Sequence, residues 1–418
     1  MKISLPPEVM KILHTLEKAG GEAYVVGGCV RDYFLGRTSS DWDICTSLYP
    51  EEVKPLFPAV LSIGERHGTI GVKMGTQVYE VTTFRQDGEY RDGRHPDTVY
   101  FTSNLVDDLK RRDFTINAMA YHPTKGLIDP LGGLEDLHKK ILRAVGDPKK
   151  RFHEDQLRVL RLFRFQAALN FEIEPSTFYG TKMEGQNFHR IANERIGAEV
   201  RKLLIAPYVG RALGSMKKAG VLVAILPLDW MEDTDFYDLK KIEPEFSVRL
   251  AALLYKETEV NSLNETIDIV AKRLCLSKKE RNQVEKLLKL LLEDPVADSL
   301  EVKKQLYLMG EEVVLPYALM RKEMDDSESA QRFLQIAQHI IEKQECYTFP
   351  LAITGKDLEE IGIPSGKEIG DMLQKLLYWV WGDSTRNQRE KLLEQAKNIG
   401  FAKLVKGFNH GTHLLSFF

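Results

Sequence analysis

Residues 23–46, AYVVGGCVRDYFLGRTSSDWDICT, constrain the fold more than any other stretch of the chain. Four apolar residues halted by Gly27 and Gly28 predict a short strand running into a tight turn. VRDYFLG then supplies one or two helical turns closed by Gly36. DWDICT alternates polar and apolar residues and predicts a second strand. Residues two apart on a strand share a face, so Asp41 and Asp43 are expected to hold two carboxylates on one side, with Trp42 turned into the core. Such a pair binds hard divalent cations such as Mg²⁺ through oxygen. Two such ions can clamp the attacking and leaving oxygens of an in-line phosphoryl displacement. Gly27 and Gly28 would let the backbone approach a triphosphate, and a helix starting there would aim free N–H groups at the phosphates. Arg31 could add a charged contact. A D-x-D by itself is a common accident on exposed strands; the weight lies in the combination.

The surrounding pattern is α/β up to about residue 140. A helix is expected from about Pro7 to Ala19, with Val9, Ile12, Leu13 and Leu16 at helical spacing. GTIGVKMGTQVYEVTTFR predicts a hairpin. Glu80 lies on it, either as a third carboxylate for the site or as an edge-strand charge. From Gln86 to Pro96 the chain is polar, with two glycines and a proline, and is expected to form a mobile loop. Beyond residue 140 helical periodicity takes over. RFHEDQLRVLRLFRFQAAL and ERNQVEKLLKLLLE are the clearest helices, and Val284, Leu287, Leu288 and Leu291 define one face of the second. The expected class is therefore α+β: a small mixed head and a long helical remainder.

Composition narrows the setting. A chain of 418 residues has room for two to four domains. It has no apolar run long enough to span a membrane, and its N-terminus lacks the apolar middle of a signal peptide. The four cysteines form no CxxC, which fits a reducing cytoplasm. With a net charge of −3, any nucleic-acid partner would need a local basic surface.

The string VVGGCVRDYFLGRTSSDWDICT resembles the signature of the class II tRNA nucleotidyltransferase and bacterial poly(A) polymerase family, within the polymerase-β-like nucleotidyltransferases. LKRRDFTINAMAY, LIDPLGGLEDL, HEDQLRVLRLFRF and NERIGAEV continue the resemblance in the family's order over roughly the first half of the chain. The second half is similar only in its helical character and, loosely, in GKDLEEIGIPSGKEIGDML. The resemblance implies a nucleotidyltransferase head (1–140), a helical neck carrying a template for the base (141–205), a helical body (206–325) and a tRNA-binding helical tail (326–418). It implies that Arg112 and Asp113 contact the sugar and phosphates of the incoming nucleotide. Asn117, four residues on, would share a helical face with Asp113. Without the family, Asp113 would be a helix cap. Asp129, Gly132 and Gly133 would make a hinge.

In HEDQLRVLRLFRF the residues alone suggest intrahelical pairs of Glu154 or Asp155 with Arg158. The resemblance implies more: Asp155 and Arg158 read the base. A carboxylate accepts and a guanidinium donates, so the pair suits the amino group and ring nitrogen shared by cytosine and adenine. Glu154 would orient Arg158, and Arg161 would reach the phosphates. The charged loop with Asp87, Arg91, Asp92, Arg94 and His95 resembles the element needed to add the terminal A. Glu65 in GERHGTIGV stands where the family's poly(A) polymerases are basic. The implied activity is addition of C, C and A to the 3′ end of tRNA from CTP and ATP, with Asp41, Asp43 and Glu80 as catalytic carboxylates and Mg²⁺ on Asp41 and Asp43. An A-adding enzyme and then a poly(A) polymerase are the alternatives. Monomer and homodimer are both left open.

Overall fold

The computed structural model describes residues 3–39, 41–88, 99–185, 188–226, 228, 236–255, 257–258, 262–325, 327–343 and 350–410. The chain divides into two units, Met1–Arg281 and Asn282–Phe418.

The first unit begins with α1 (Pro7–Lys18), β1 (Ala23–Val26), α2 (Gly28–Phe34), β2 (Asp43–Thr46) and α3 (Pro50–Val53). It continues with β3 (Val60–Gly64), β4 (Thr69–Met74), β5 (Gln77–Thr83), β6 (Arg85–Asp87), β7 (Val99–Phe101) and α4 (Leu105–Lys110). After these come β8 (Ala120–His122), β9 (Gly126–Ile128), α5 (Gly133–Lys139), α6 (Pro148–Glu154), α7 (Leu157–Leu169), α8 (Pro175–Glu184) and α9 (Asn193–Leu204). Seven strands form one mixed sheet in the order β3-β4-β5-β2-β1-β8-β9. β1 is antiparallel to both β2 and β8, whereas β2 runs parallel to β5. β4 and β5 make the expected hairpin.

β1 explains why its four residues are all apolar: it is central and covered on both sides. Ala23 and Val25 join a core with Val9, Ile12, Leu13 and Leu16 of α1, while Tyr24 and Val26 face Leu105 and Leu109 of α4. Ile44 and Val81 belong to the α1 side, so Asp43 and Glu80, each one residue earlier, face the α4 side.

The structure alters four expectations. β2 starts at Asp43, so Asp41 lies just before the strand rather than on it. Gln86 and Asp87 are not loop but strand, paired with Tyr100 and Val99; Arg91, Asp92, Arg94 and His95 lie outside the described residues. Asp113 and Asn117 occupy a bend and a 3-10 turn (Thr115–Asn117), not an α-helix. HEDQLRVLRLFRF is two helices, α6 and α7, broken at Asp155, which has extended backbone (φ −143°, ψ 103°).

The second unit is helical among its described residues. The helix Lys278–Leu291 crosses the division and buries Val284, Leu287, Leu288 and Leu291, as the periodicity predicts. Helices 355–360, 367–381 and 389–410 share a core of Leu358, Met372, Leu376, Val380, Leu392 and Ala396. Among the described residues no helix is long and apolar enough to cross a membrane.

One glycine contact locks α5 to the sheet side of the head. Both carboxylate oxygens of Asp129 accept from the start of α5, from Gly133 N (2.8 Å) and Leu134 N (2.9 Å). A Cβ on Gly133 would lie 2.2 Å from the Thr115 carbonyl oxygen, and backbone cannot yield as a flexible side chain can. Gly133→Ala should therefore destabilise the chain by about 1–3 kcal/mol, as overpacked cores do. Urea unfolding with an unchanged midpoint would refute this packing assignment.

Candidate active site

The site grows from the register of β1 with β2. Val26 is paired with Asp43, which brings that carboxylate beside Gly27, the residue that follows β1. Gly27 has φ +79°, a region that disfavours side chains. A Cβ there would meet Arg112 Nη1 at 3.0 Å and Asp43 Oδ2 at 3.7 Å. Gly27 therefore holds open the space between a guanidinium and a carboxylate. Gly28 opens α2, whose first turn has no side-chain cap. Asp41, Asp43, Gly27 and Gly28 line one cavity of about 440 Å³, a volume suited to a small ligand. Burial, and then the charge of Asp41, pushes the Asp43 carboxyl above its ordinary range, although Arg112 and Arg161 oppose this. Glu80 does not line the cavity but sits on β5 beside Asp43. Partial burial and the charges of Asp43 and Asp41 push its carboxyl up as well. The donors are all oxygen, the set that hard divalent cations take. Among the described residues no group of three His, Cys, Asp or Glu side chains is close enough to hold a metal alone.

The turn after α4 supplies the opposite wall. Arg111 and Arg112 both reach back to the fully buried Asp108, at 2.8 and 3.2 Å. Burial would raise the Asp108 pKa, but the two guanidiniums outweigh it and hold the carboxyl ionised. Asp113 accepts from Asn117 Nδ2 (3.0 Å), from Phe114 N (2.8 Å) and from Arg161 Nε (2.8 Å). Asn117 in turn accepts from Arg31 Nη1 at 2.6 Å, while Arg31 Nε and Nη2 grip Asp32. Arg31, Asn117, Asp113 and Arg161 thus form one continuous chain of charged hydrogen bonds.

The break between α6 and α7 completes the cavity. Asp155 Oδ1 accepts from Leu157 N at 3.1 Å, restarting the helix, and Oδ2 accepts from Arg195 Nη2 at 3.1 Å. Glu154 takes Arg158 Nη1 at 2.6 Å, the expected i,i+4 pair. Arg158 also donates to the carbonyls of Arg151 and Arg111. Asp155 and Arg158 both line the cavity, though Asp155 pairs with Arg195 rather than with Arg158. Seven arginines and four aspartates line it in all, the local basic surface that an overall acidic chain needs for a polyanion. Arg112 Nε and Arg195 Nη1 are buried with no hydrogen-bond partner among the described residues.

Comparison with known proteins gives this geometry a family. Residues 23–143 match the "Poly A polymerase head domain", residues 170–229 the "Probable RNA and SrmB- binding site of polymerase A" and residues 251–396 the "tRNA nucleotidyltransferase domain 2 putative". The chain is 50% identical to the CCA-adding enzyme of Streptococcus pneumoniae over 215 residues, 51% of this chain and 54% of that one; it thus spans about half the length of such relatives. It is 36% identical to the CCA-adding enzyme of Lactobacillus helveticus over 413 residues, covering 94% of this chain and 99% of that one. The chain belongs to the CCA-adding enzymes. A crystal structure of the Bacillus stearothermophilus CCA-adding enzyme in complex with CTP superposes with a TM-score of 0.81 at 29% identity, covering 96% of this chain and all of that one.

In this member of the CCA-adding enzymes, sequence reasoning brought together Gly27, Gly28, Arg31, Asp41, Asp43, Arg112, Asp113, Asn117, Asp155, Arg158 and Arg161, all on the cavity wall. It missed Asp108, Arg164, Phe165 and Arg195. Asp108 had a signal, since it stands three and four residues before Arg111 and Arg112. Arg195 lies in NERIGAEV, one of the strings that carry the resemblance, but nothing there gave its partner: it reaches Asp155 across forty residues of chain.

Burial works against ionising Asp113, yet Arg161, Asn117 and the Phe114 N–H hold its pKa at about 2. The folded value lies below the unfolded one of about 3.9, so the carboxylate stabilises the fold fully above pH 4 and loses that effect as pH falls towards 2, by about 2 kcal/mol. Wild type should exceed Asp113→Asn by about that amount in urea unfolding at pH 7, with the gap narrowing below pH 4. A gap independent of pH would contradict the ion pair.

Proposed function

We propose that this chain adds C, C and A to the 3′ end of tRNA in the cytoplasm, using CTP and ATP and releasing pyrophosphate. The observation that carries the reading is the meeting, in one cavity, of a carboxylate pair, a glycine that holds the backbone clear, and Asp155 and Arg158. The names of the curated relatives favour it over an A-adding enzyme. Glu65, which pairs with Lys54 rather than adding basic charge, counts against poly(A) synthesis. In this reading residues 1–140 are the catalytic head, 141–205 the neck with the base template, and 206–325 and 326–418 the body and tail that hold tRNA.

Asp41 and Asp43 would hold Mg²⁺, with Glu80 beside them; when bound, the ion supplies acidity to the attacking 3′-hydroxyl and charge to the leaving phosphates. The chain's own groups do the positioning. Gly27 lets the triphosphate lie against the backbone. Arg112 and Arg161 offer it cationic donors, and Arg31 and Asn117 fix the wall behind Asp113, which faces the ribose. Asp155 uses two of roughly four acceptor sites on Leu157 N and Arg195, leaving capacity for an exocyclic amino group. Arg158, oriented by Glu154, donates to the neighbouring ring nitrogen. Uracil and guanine would leave buried polar groups unpaired, a strong ground for rejection.

An assay with tRNA lacking CCA, tRNA ending in CC and an unrelated RNA, each with labelled CTP or ATP, tests this directly. Both nucleotides should enter the first substrate, only ATP the second, and neither the third. Asp41→Ala should lose turnover by about a hundredfold or more while keeping tRNA affinity; normal incorporation would remove the metal assignment. Arg158→Ala should raise UTP and GTP use relative to CTP and ATP by about tenfold or more. Unchanged selectivity in that variant would leave the template without support.

A further inference from the structure

Phe165 occupies the cavity wall with a task that no step above uses. Its ring is only 7% exposed and meets the Phe114 ring edge-on at 5.7 Å. Three guanidiniums lie over it, those of Arg164 at 4.4 Å, Arg31 at 5.1 Å and Arg161 at 5.7 Å from the ring centroid. All four residues line the cavity. Each arginine has a carboxylate partner, Glu199, Asp32 and Asp113 respectively. Yet these carboxylates stand on different elements, whereas the ring lies within reach of all three cations. The crowding is real: burial first eases the proton on Arg164, and the charges of Arg161 and Arg31 add to this against Glu199 and Asp113. An aromatic ring carries a negative quadrupole on its faces and attracts cations within about 6 Å. A leucine or methionine would fill the same helical position and offer none of that.

We propose that Phe165 is a positioning residue whose ring gathers Arg31, Arg161 and Arg164 into a preformed cluster for the triphosphate of the incoming nucleotide. The proposal rests on reading the cavity as a nucleotide site. The triphosphate is the part that CTP and ATP share, whereas the base is read by Asp155 and Arg158. Loss of the ring's attraction therefore weakens both nucleotides equally and leaves base choice alone. A residue that merely filled space would act through stability instead.

The test compares the full wild-type chain with Phe165→Leu, Phe165→Tyr and a chain carrying trifluorophenylalanine at position 165. Fluorination empties the ring face of negative charge and nearly keeps its shape, so it decides the matter even where Phe165→Leu folds poorly. For the fluorinated chain and Phe165→Leu, KM for CTP and for ATP should each rise about tenfold, with kcat nearly unchanged. The preference for C and A over U and G should not move, and Phe165→Tyr should retain wild-type KM. Calorimetric binding of CTP should weaken in step. A fluorinated chain that binds CTP as tightly as wild type overturns the role of the ring and leaves the functional reading intact. Wild-type protein that fails to bind CTP at all overturns that reading and the ring's role with it.

Discussion

The pairing of Val26 with Asp43 fixes where everything else in the site can be. A slip of one residue in β2 would send the Asp43 carboxylate into the α1 core beside Val25 and Val81 and turn Ile44 out of it. It would also remove the carboxylate from Gly27, whose positive φ turns the chain away just where Arg112 and Asp43 converge. Register is secure here because β1 and β2 are central strands with both faces packed. The apolar residues that seem to say only "core" therefore determine the geometry of the cavity. Glu80 follows from the same register, since the parallel pairing of Ile44 with Val81 sets Glu80 level with Asp43.

Around the ends of these central strands the cavity is built from charges that already have partners. Asp108 holds Arg111 and Arg112, Asp113 holds Arg161, Glu154 holds Arg158, and Asp155 holds Arg195. A polyanionic ligand meets guanidiniums whose orientation is set beforehand, so little side-chain entropy is lost on binding. The same arrangement makes the site unforgiving. Removing one member of a buried pair strands the other, which costs more than the pair contributes. This is why Asp113, with three donors and an aromatic neighbour beside it, matters to stability as well as to any substrate contact.

What was legible in the sequence divides along the same physical line. Local patterns of strand, turn and helix located β1, Gly27, α2, β2 and the β4–β5 hairpin, because there the chain's own periodicity decides the structure. Pairs within a turn of helix, such as Glu154 with Arg158, were legible for the same reason. Contacts closed by tertiary packing were not. Nothing near Asp155 announces Arg195, and nothing in RRDFTINAMA says that Asn117 will face Arg31 from eighty-six residues away. Phe165 was hidden more thoroughly, since an aromatic on an amphipathic helix is expected to be core, and this one is both core and cavity wall.

The break at Asp155 shows how a local pattern can be right in period and wrong in structure. Residues 151–169 carry strong helical periodicity, and a continuous helix would bury its apolar face equally well. It would also place the carboxyl of Asp155 one position along the helix surface from Glu154, with its oxygens turned to Arg158. Instead Asp155 leaves the helix, accepts from Leu157 N at the start of the next one and turns its other oxygen to Arg195. Asp is a poor helix interior residue and a good cap, so the local cost of the break is small. Its gain is positional: Glu154 is left to hold Arg158, and Asp155 is free to present an acceptor beside it. Two acidic residues in succession, with similar chemistry, thereby take different directions, and the pair Asp155 and Arg158 gains an acceptor and a donor on the same wall without neutralising each other.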